Sequence, residues 1–158
     1  MFKTKNDLSE EIRANAAELI NARLADCIDL QTQTKQAHWN VKGPSFIALH
    51  ELFDKVSEAA EDAVDLIAER SVQLGGVPIG TARAIASGST LPPYPVNTVD
   101  GLAHVDALST AISRFGAAAR KAIDEAQRIG DADTADLFTE VSREMDKYLW
   151  FVEAHIQK

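Results

Sequence analysis

Four long stretches in which apolar residues recur every three or four positions restrict what this chain can become. Gly and Pro, which would break them, are clustered at Gly43-Pro44, Gly75-Gly76, Gly88-Ser-Thr-Leu-Pro-Pro-Tyr-Pro95 and Gly130. The first stretch starts near Asn6-Asp7, residues of N-cap type with Glu10 and Glu11 following, and carries Leu8, Ile12, Ala16, Leu19, Cys27 and Leu30 as far as Trp39. The second takes Pro44 in its first turn and repeats Phe46, Leu49, Phe53, Val56, Ala60, Ala63 and Ile67 up to Gly75-Gly76. The third follows Thr98 with Leu102, Val105, Leu108, Ile112, Phe115, Ala119, Ala122 and Ala126. The fourth follows Asp131 and Asp133 with Phe138, Val141, Met145, Leu149 and Val152. No alternating Val/Ile/Thr run lies between the breaks, so no strand is predicted. Four amphipathic helices bury their stripes only against one another, which makes an all-α four-helix bundle.

The connections set its path. Short links between helices one and two, and three and four, make antiparallel hairpins. The link over residues 75–97 is long for such a bundle; it has the reach to cross its full length and to hold a short helix over Thr81–Ala86. One long crossover is the ferritin-like variant of the bundle. With 158 residues the chain reads as a single domain, 1–158, with a short N-terminal tail over 1–6. Sixteen Lys+Arg against 24 Asp+Glu leave a net charge of −8, which phosphate backbones repel. The one cysteine, Cys27, excludes an internal disulfide and Cys-rich zinc modules and reads as a small core residue. The N-terminus lacks a signal-peptide apolar region, and no apolar run approaches the ~20 residues of a bilayer span. The expectation is therefore cytoplasmic, with no membrane partner.

Metal-ligand residue types concentrate on the second helix. His50 and Asp54 are four apart, as are Asp65 and Glu69, and at about 100° per residue all four fall on one side, offset from the core stripe. His38 returns beside them through the Gly43-Pro44 hairpin. The usual ferritin-like site takes a Glu-x-x-His pair from each of two helices. The chain contains none, and Glu153-Ala-His155 has the wrong spacing. Asp54 and Asp65 stand ~16 Å apart along a straight helix, whereas ligands of one ion lie within about 2–2.6 Å of it. One chain therefore cannot close the site. A two-fold axis through the helix can, by setting Asp65 and Glu69 of an antiparallel copy opposite His38, His50 and Asp54. Glu58 and Glu61 then lie near that axis, where their charges repel. Two imidazoles and three carboxylates suit iron or zinc better than calcium or magnesium.

The stretch Lys35-Gln-Ala-His-Trp-Asn-Val-Lys-Gly-Pro-Ser-Phe-Ile-Ala-Leu-His50-Glu-Leu-Phe-Asp54, with Asp65-Leu-Ile-Ala-Glu69-Arg and Gln73-Leu-Gly-Gly, resembles the signature of the Dps family of mini-ferritins. Asp146-Lys-Tyr-Leu-Trp150 is similar to that family's C-terminal pattern, so the likeness covers nearly the whole chain. The resemblance implies a hollow homo-dodecamer with ferroxidase centres at its two-fold interfaces, where Fe(II) is oxidised preferentially by hydrogen peroxide and stored as ferric mineral. It implies His38, His50 and Asp54 from one subunit, with Asp65 and Glu69 from its neighbour, as iron ligands; by its donor chemistry the same ligand set also admits Zn(II) as a competitor. Trp39 would take part in electron transfer, although interface packing explains it equally. Asp131, Asp136 and Glu140 would line an acidic iron-entry pore on the three-fold axis. Asp131 and Asp133 also read as N-caps.

DNA-binding members of that family usually carry a Lys/Arg-rich tail. This chain has only Lys3 and Lys5 at one end and Lys158 at the other, so the expectation is against DNA binding. A DNA-compacting, nucleoid-associated protein and a helical scaffold with structural zinc stand as the competing readings. His104 and His155 have no ligand-spaced partners and read as ordinary surface or interface residues.

Overall fold

The computed structural model describes residues 1–157, and among them it shows five helices and no strand. These are α1 (Glu10–Asn40), α2 (Phe46–Gln73), α3 (Ala82–Gly88), α4 (Gly101–Ile129) and α5 (Ala132–Glu153). Among the described residues no helix is long and apolar enough to cross a membrane. Four long helices enclose one core, in which Phe53, Phe115 and Phe138 are fully buried. The expected stripes form its walls, except that Phe46 and Leu102 at the helix starts stay exposed.

The helix ends differ from expectation by local chemistry. α1 begins at Glu10, because the Ser9 hydroxyl accepts from Ile12 N, while Asn6 Oδ1 accepts from Leu8 N in a turn ahead of the helix. Pro44 lies outside α2, which starts behind Ser45. α4 starts at Gly101, with the Asp100 carboxylate accepting from Ala103 N. A Cβ on Gly101 would lie 2.8 Å from Leu49 Cδ1, so glycine lets α4 approach α2 there. Gly130, at φ +96°, ends α4 in the left-handed region.

The crossover runs the length of the bundle. At its start Phe2 N donates to Gly75 O at 2.7 Å, tying the N-terminal segment down; at its end Lys42 N donates to Val99 O at 2.9 Å. Polar side chains of α1 hold it in between. Asn21 bonds Val77 O and Ile79 N, Asp26 accepts from Thr90 N and its hydroxyl, Asp29 accepts from Ser89, and Gln33 donates to Pro92 O. The short helix α3 lies within it against α1. With α2, α4 and the crossover packed around it, α1 buries Asp26, Gln33 and Thr34 as well as its apolar residues.

His104 departs from its expected surface position. It is fully buried, with Nδ1 2.5 Å from the Tyr94 hydroxyl of the crossover. Burial pushes its imidazole below the ordinary value of 6.5, against the opposing pull of the Asn40 carbonyl and Asp100. A His held neutral by the fold contributes stability that is present above pH 6.5 and lost as pH falls toward its lowered folded value. Denaturant midpoints should therefore fall as pH drops below the ordinary imidazole value of 6.5, and His104→Gln should flatten that part of the profile.

Candidate metal centre

The turn from α1 to α2 is locked by two imidazoles. Gly43, at φ +107°, makes the reversal, and Val41 is buried beneath it. His38 Nδ1 lies 2.8 Å from His50 O, and His50 Nδ1 lies 2.9 Å from His38 O. A carbonyl only accepts, so each Nδ1 carries the proton and donates. The His38 carbonyl belongs to the last turn of α1, where no helical N–H answers it, and His50 supplies that donor. The rings stack at 3.7 Å between centroids. Both Nε2 atoms are then left as lone pairs, the arrangement by which a backbone carbonyl orients a metal-binding His.

Asp54 stands beside them, one turn beyond His50, with Oδ1 3.9 Å from His38 Nδ1. The Lys35 ammonium bonds that oxygen, and this hydrogen bond holds the Asp54 carboxyl below the usual carboxylate range. Lys35 supplies a positive charge where a ligand carboxylate would face a cation. Nothing in its own spacing signalled the contact, because the register between α1 and α2 creates it.

Asp65 and Glu69 lie three turns further along the exposed side of α2, with no ion pair or hydrogen bond among the described residues. Within one chain, no three His, Cys, Asp or Glu side chains among the described residues are grouped to hold an ion. The structure brings together His38, His50 and Asp54 on the α1–α2 hairpin and leaves Asp65 and Glu69 apart. Ile47 and Leu66 on α2 remain exposed, as does Trp39, which is 68% exposed next to His38.

The acidic residues at the start of α5 divide. Asp131 is 1% exposed, and its carboxylate accepts from Arg70 Nη2 at 2.7 Å, Thr134 Oγ1 at 2.5 Å and Thr134 N at 3.1 Å. It caps α5 and ties it to the end of α2, so it presents no free carboxylate to a pore. Asp136 and Glu140 are exposed and unpaired among the described residues. Arg70, directly after Glu69, also donates Nε to Thr134 Oγ1 at 3.0 Å. Cys27 is buried, with Sγ 3.5 Å from Ala60 O, a core position as expected.

Two substitutions separate these roles. Lys35→Met should tighten divalent-ion binding at neutral pH up to about fivefold in anaerobic titration, since a half-exposed ion pair is worth at most about 1 kcal/mol. Arg70→Leu strands the buried Asp131 carboxylate and should destabilise the fold by about 3–5 kcal/mol in denaturant melts.

The comparisons with known proteins agree with this architecture. The Ferritin-like domain model matches residues 17–158. The DNA protection during starvation protein of Agrobacterium fabrum is 48% identical over 159 residues, spanning 99% of this chain and 96% of that one. A solved Dps structure from Mycobacterium smegmatis superposes with a TM-score of 0.94 at 33% identity, covering 99% of this chain and 96% of the other. Dps from Microbacterium arborescens, solved in a high iron form, superposes at 0.90 with 30% identity, covering 99% of this chain and all of that one. Matched along nearly its whole length by both sequence and fold, the chain belongs to the ferritin-like family and, within it, to the Dps proteins.

Proposed function

We propose that this protein is a ferroxidase and iron store that oxidises Fe(II), preferentially with hydrogen peroxide, and deposits ferric mineral inside a hollow homo-dodecamer in the cytoplasm. The observation that carries the reading is the imidazole pair: two Nε2 lone pairs, freed by reciprocal Nδ1–carbonyl bonds, beside a carboxylate kept ionised by Lys35. The high iron form of the Microbacterium arborescens relative supports iron as the cargo.

In this reading the whole chain, 1–158, acts as one subunit. His38, His50 and Asp54 face Asp65 and Glu69 of the partner subunit across a two-fold axis, and Ile47 and Leu66 are covered by the same contact. The hard carboxylate oxygens favour the higher charge of Fe(III), which shifts the iron couple toward oxidation. Each Fe(II) gives one electron, while peroxide takes two electrons and two protons and leaves as water. Trp39, beside His38, is placed to pass electrons. Zn(II) competes for the same donors. Asp136 and Glu140 line the three-fold entry path, with Asp131 as the cap that positions their helix.

The alternative, a DNA-compacting protein, is weakened by the net charge of −8 and by an N-terminal segment fastened to Gly75. Protection then works by removing iron and peroxide. Salt-sensitive retention of DNA by intact shells in a low-salt gel shift would reverse that preference.

Anaerobic Fe(II) titration followed by peroxide, read alongside native mass, tests the function. His38→Ala or Asp65→Ala should slow oxidation by about tenfold or more while leaving the assembly mass unchanged; oxidation at the normal rate would remove these residues from the site. Replacing Asp136 and Glu140 by Asn and Gln should slow uptake at low salt and converge with the parent at high salt, because focusing by surface charge is screened.

A further inference from the structure

Tyr94 and His104 form a pair that the reaction above does not use. The Tyr94 hydroxyl is 2.5 Å from His104 Nδ1, and the two rings lie nearly parallel. His104 Nε2 is buried without a well-formed hydrogen bond, and the Asn40 carbonyl is the neighbouring group that favours a proton on the ring. A second lone pair would be repelled by that carbonyl, so Nε2 carries the proton. Nδ1 is then bare, and the phenol donates to it. Burial raises the Tyr94 hydroxyl far above its ordinary value and lowers the imidazole, so the resting pair is an un-ionised phenol on a neutral base.

The pair's position gives it a use. Tyr94 and Trp39 line one cavity of about 610 Å³, together with Lys35, the residue that reaches Asp54. On its far side His104 meets Phe53 edge-on at 6.2 Å, in the helix that carries Asp54. The tyrosine that carries this built-in proton acceptor and the indole next to His38 therefore line the same cavity.

We propose that Tyr94 and His104 act as a proton-coupled one-electron donor that quenches hydroxyl radical formed when peroxide meets a single Fe(II). The inference rests on the ferroxidase reading. One Fe(II) supplies one electron, which splits the O–O bond into hydroxide and hydroxyl radical. Tyr94, by way of Trp39, reduces that radical to hydroxide. Its O–H bond breaks as it does so: the proton moves to His104 Nδ1 and a neutral phenoxyl radical remains. A later Fe(II) returns the electron, becoming Fe(III), and the proton moves back. The sum is two Fe(III) and two hydroxides per peroxide, with no free radical released. The burial that keeps His104 neutral at rest makes its imidazolium short-lived.

The pair also fastens the crossover to α4, so stability alone does not distinguish the two roles. The second tyrosine is an internal control: Tyr148 carries the Lys147 ammonium 4.6 Å from its ring centroid, which opposes removal of an electron.

The assembled protein should be given substoichiometric Fe(II), then peroxide, and freeze-quenched for electron paramagnetic resonance, with ferric absorbance read on the same samples. In parallel, iron-free protein should be oxidised by flash-excited ruthenium tris-bipyridine with persulfate, in water and in deuterium oxide. A phenoxyl signal is expected in the parent and in Tyr148→Phe, and none in Tyr94→Phe. His104→Gln accepts the phenol's hydrogen bond without taking its proton, and should slow Tyr94 oxidation about a hundredfold. Deuterium should slow the parent. Iron oxidised without a phenoxyl signal, or a signal that survives Tyr94→Phe, overturns the proposal. Should His104→Gln fail to assemble, an equal flash rate for the parent in both solvents overturns it instead. If iron is not oxidised at all, the function proposed above fails on its own. The flash experiment then decides the pair: a deuterium-sensitive phenoxyl at Tyr94 upholds it, and no phenoxyl overturns it.

Discussion

The reciprocal bonding of His38 and His50 holds the site end of the molecule together. Each ring closes the hairpin by donating to the other's carbonyl, and each thereby settles its own tautomer. The same two bonds that join α1 to α2 therefore create the two free nitrogen lone pairs, so fold and site share one set of contacts. Lys35 completes the arrangement by holding Asp54 charged next to them.

At the opposite end the buried contact is ionic. Arg70 reaches from α2 to Asp131 and Thr134 at the start of α5, with the Asp131 carboxylate capping that helix as well. An unpaired charge at either position would be costly to bury, so the pair sets the register of the second hairpin against the first. Glu69 precedes Arg70, and Asp136 and Glu140 follow the capped turn. These exposed carboxylates therefore stand on helix turns adjoining the buried ion pair.

Between the two ends, α1 serves as the spine. Its Asn21, Asp26, Asp29 and Gln33 each fasten a different part of the crossover, and Tyr94 continues the series onto His104 of α4. Asp26 and Gln33 are buried, and buried polar groups require partners. The long connection supplies them one after another, which gives a segment of little secondary structure a defined path.

The sequence by itself determined the four long helices, the two hairpins, the full-length crossover with its short helix, and the family, because helical periodicity, Gly and Pro breaks and a contiguous motif are local properties. It also placed His38 beside His50 and Asp54, since a tight hairpin leaves little freedom in where neighbouring turns meet. Only the tertiary structure decided which polar residues were buried. His104 carried no ligand spacing and lies in the core against Tyr94, while Asp131, read both as a cap and as a pore acid, is the cap and is closed on Arg70. Lys35 on Asp54 depends on the register of one helix against another. These pairings join residues from 10 to 61 positions apart in the chain, Lys35 and Asp54 lying 19 apart. Their burial depends on what packs over them, and no periodicity within a single helix encodes that.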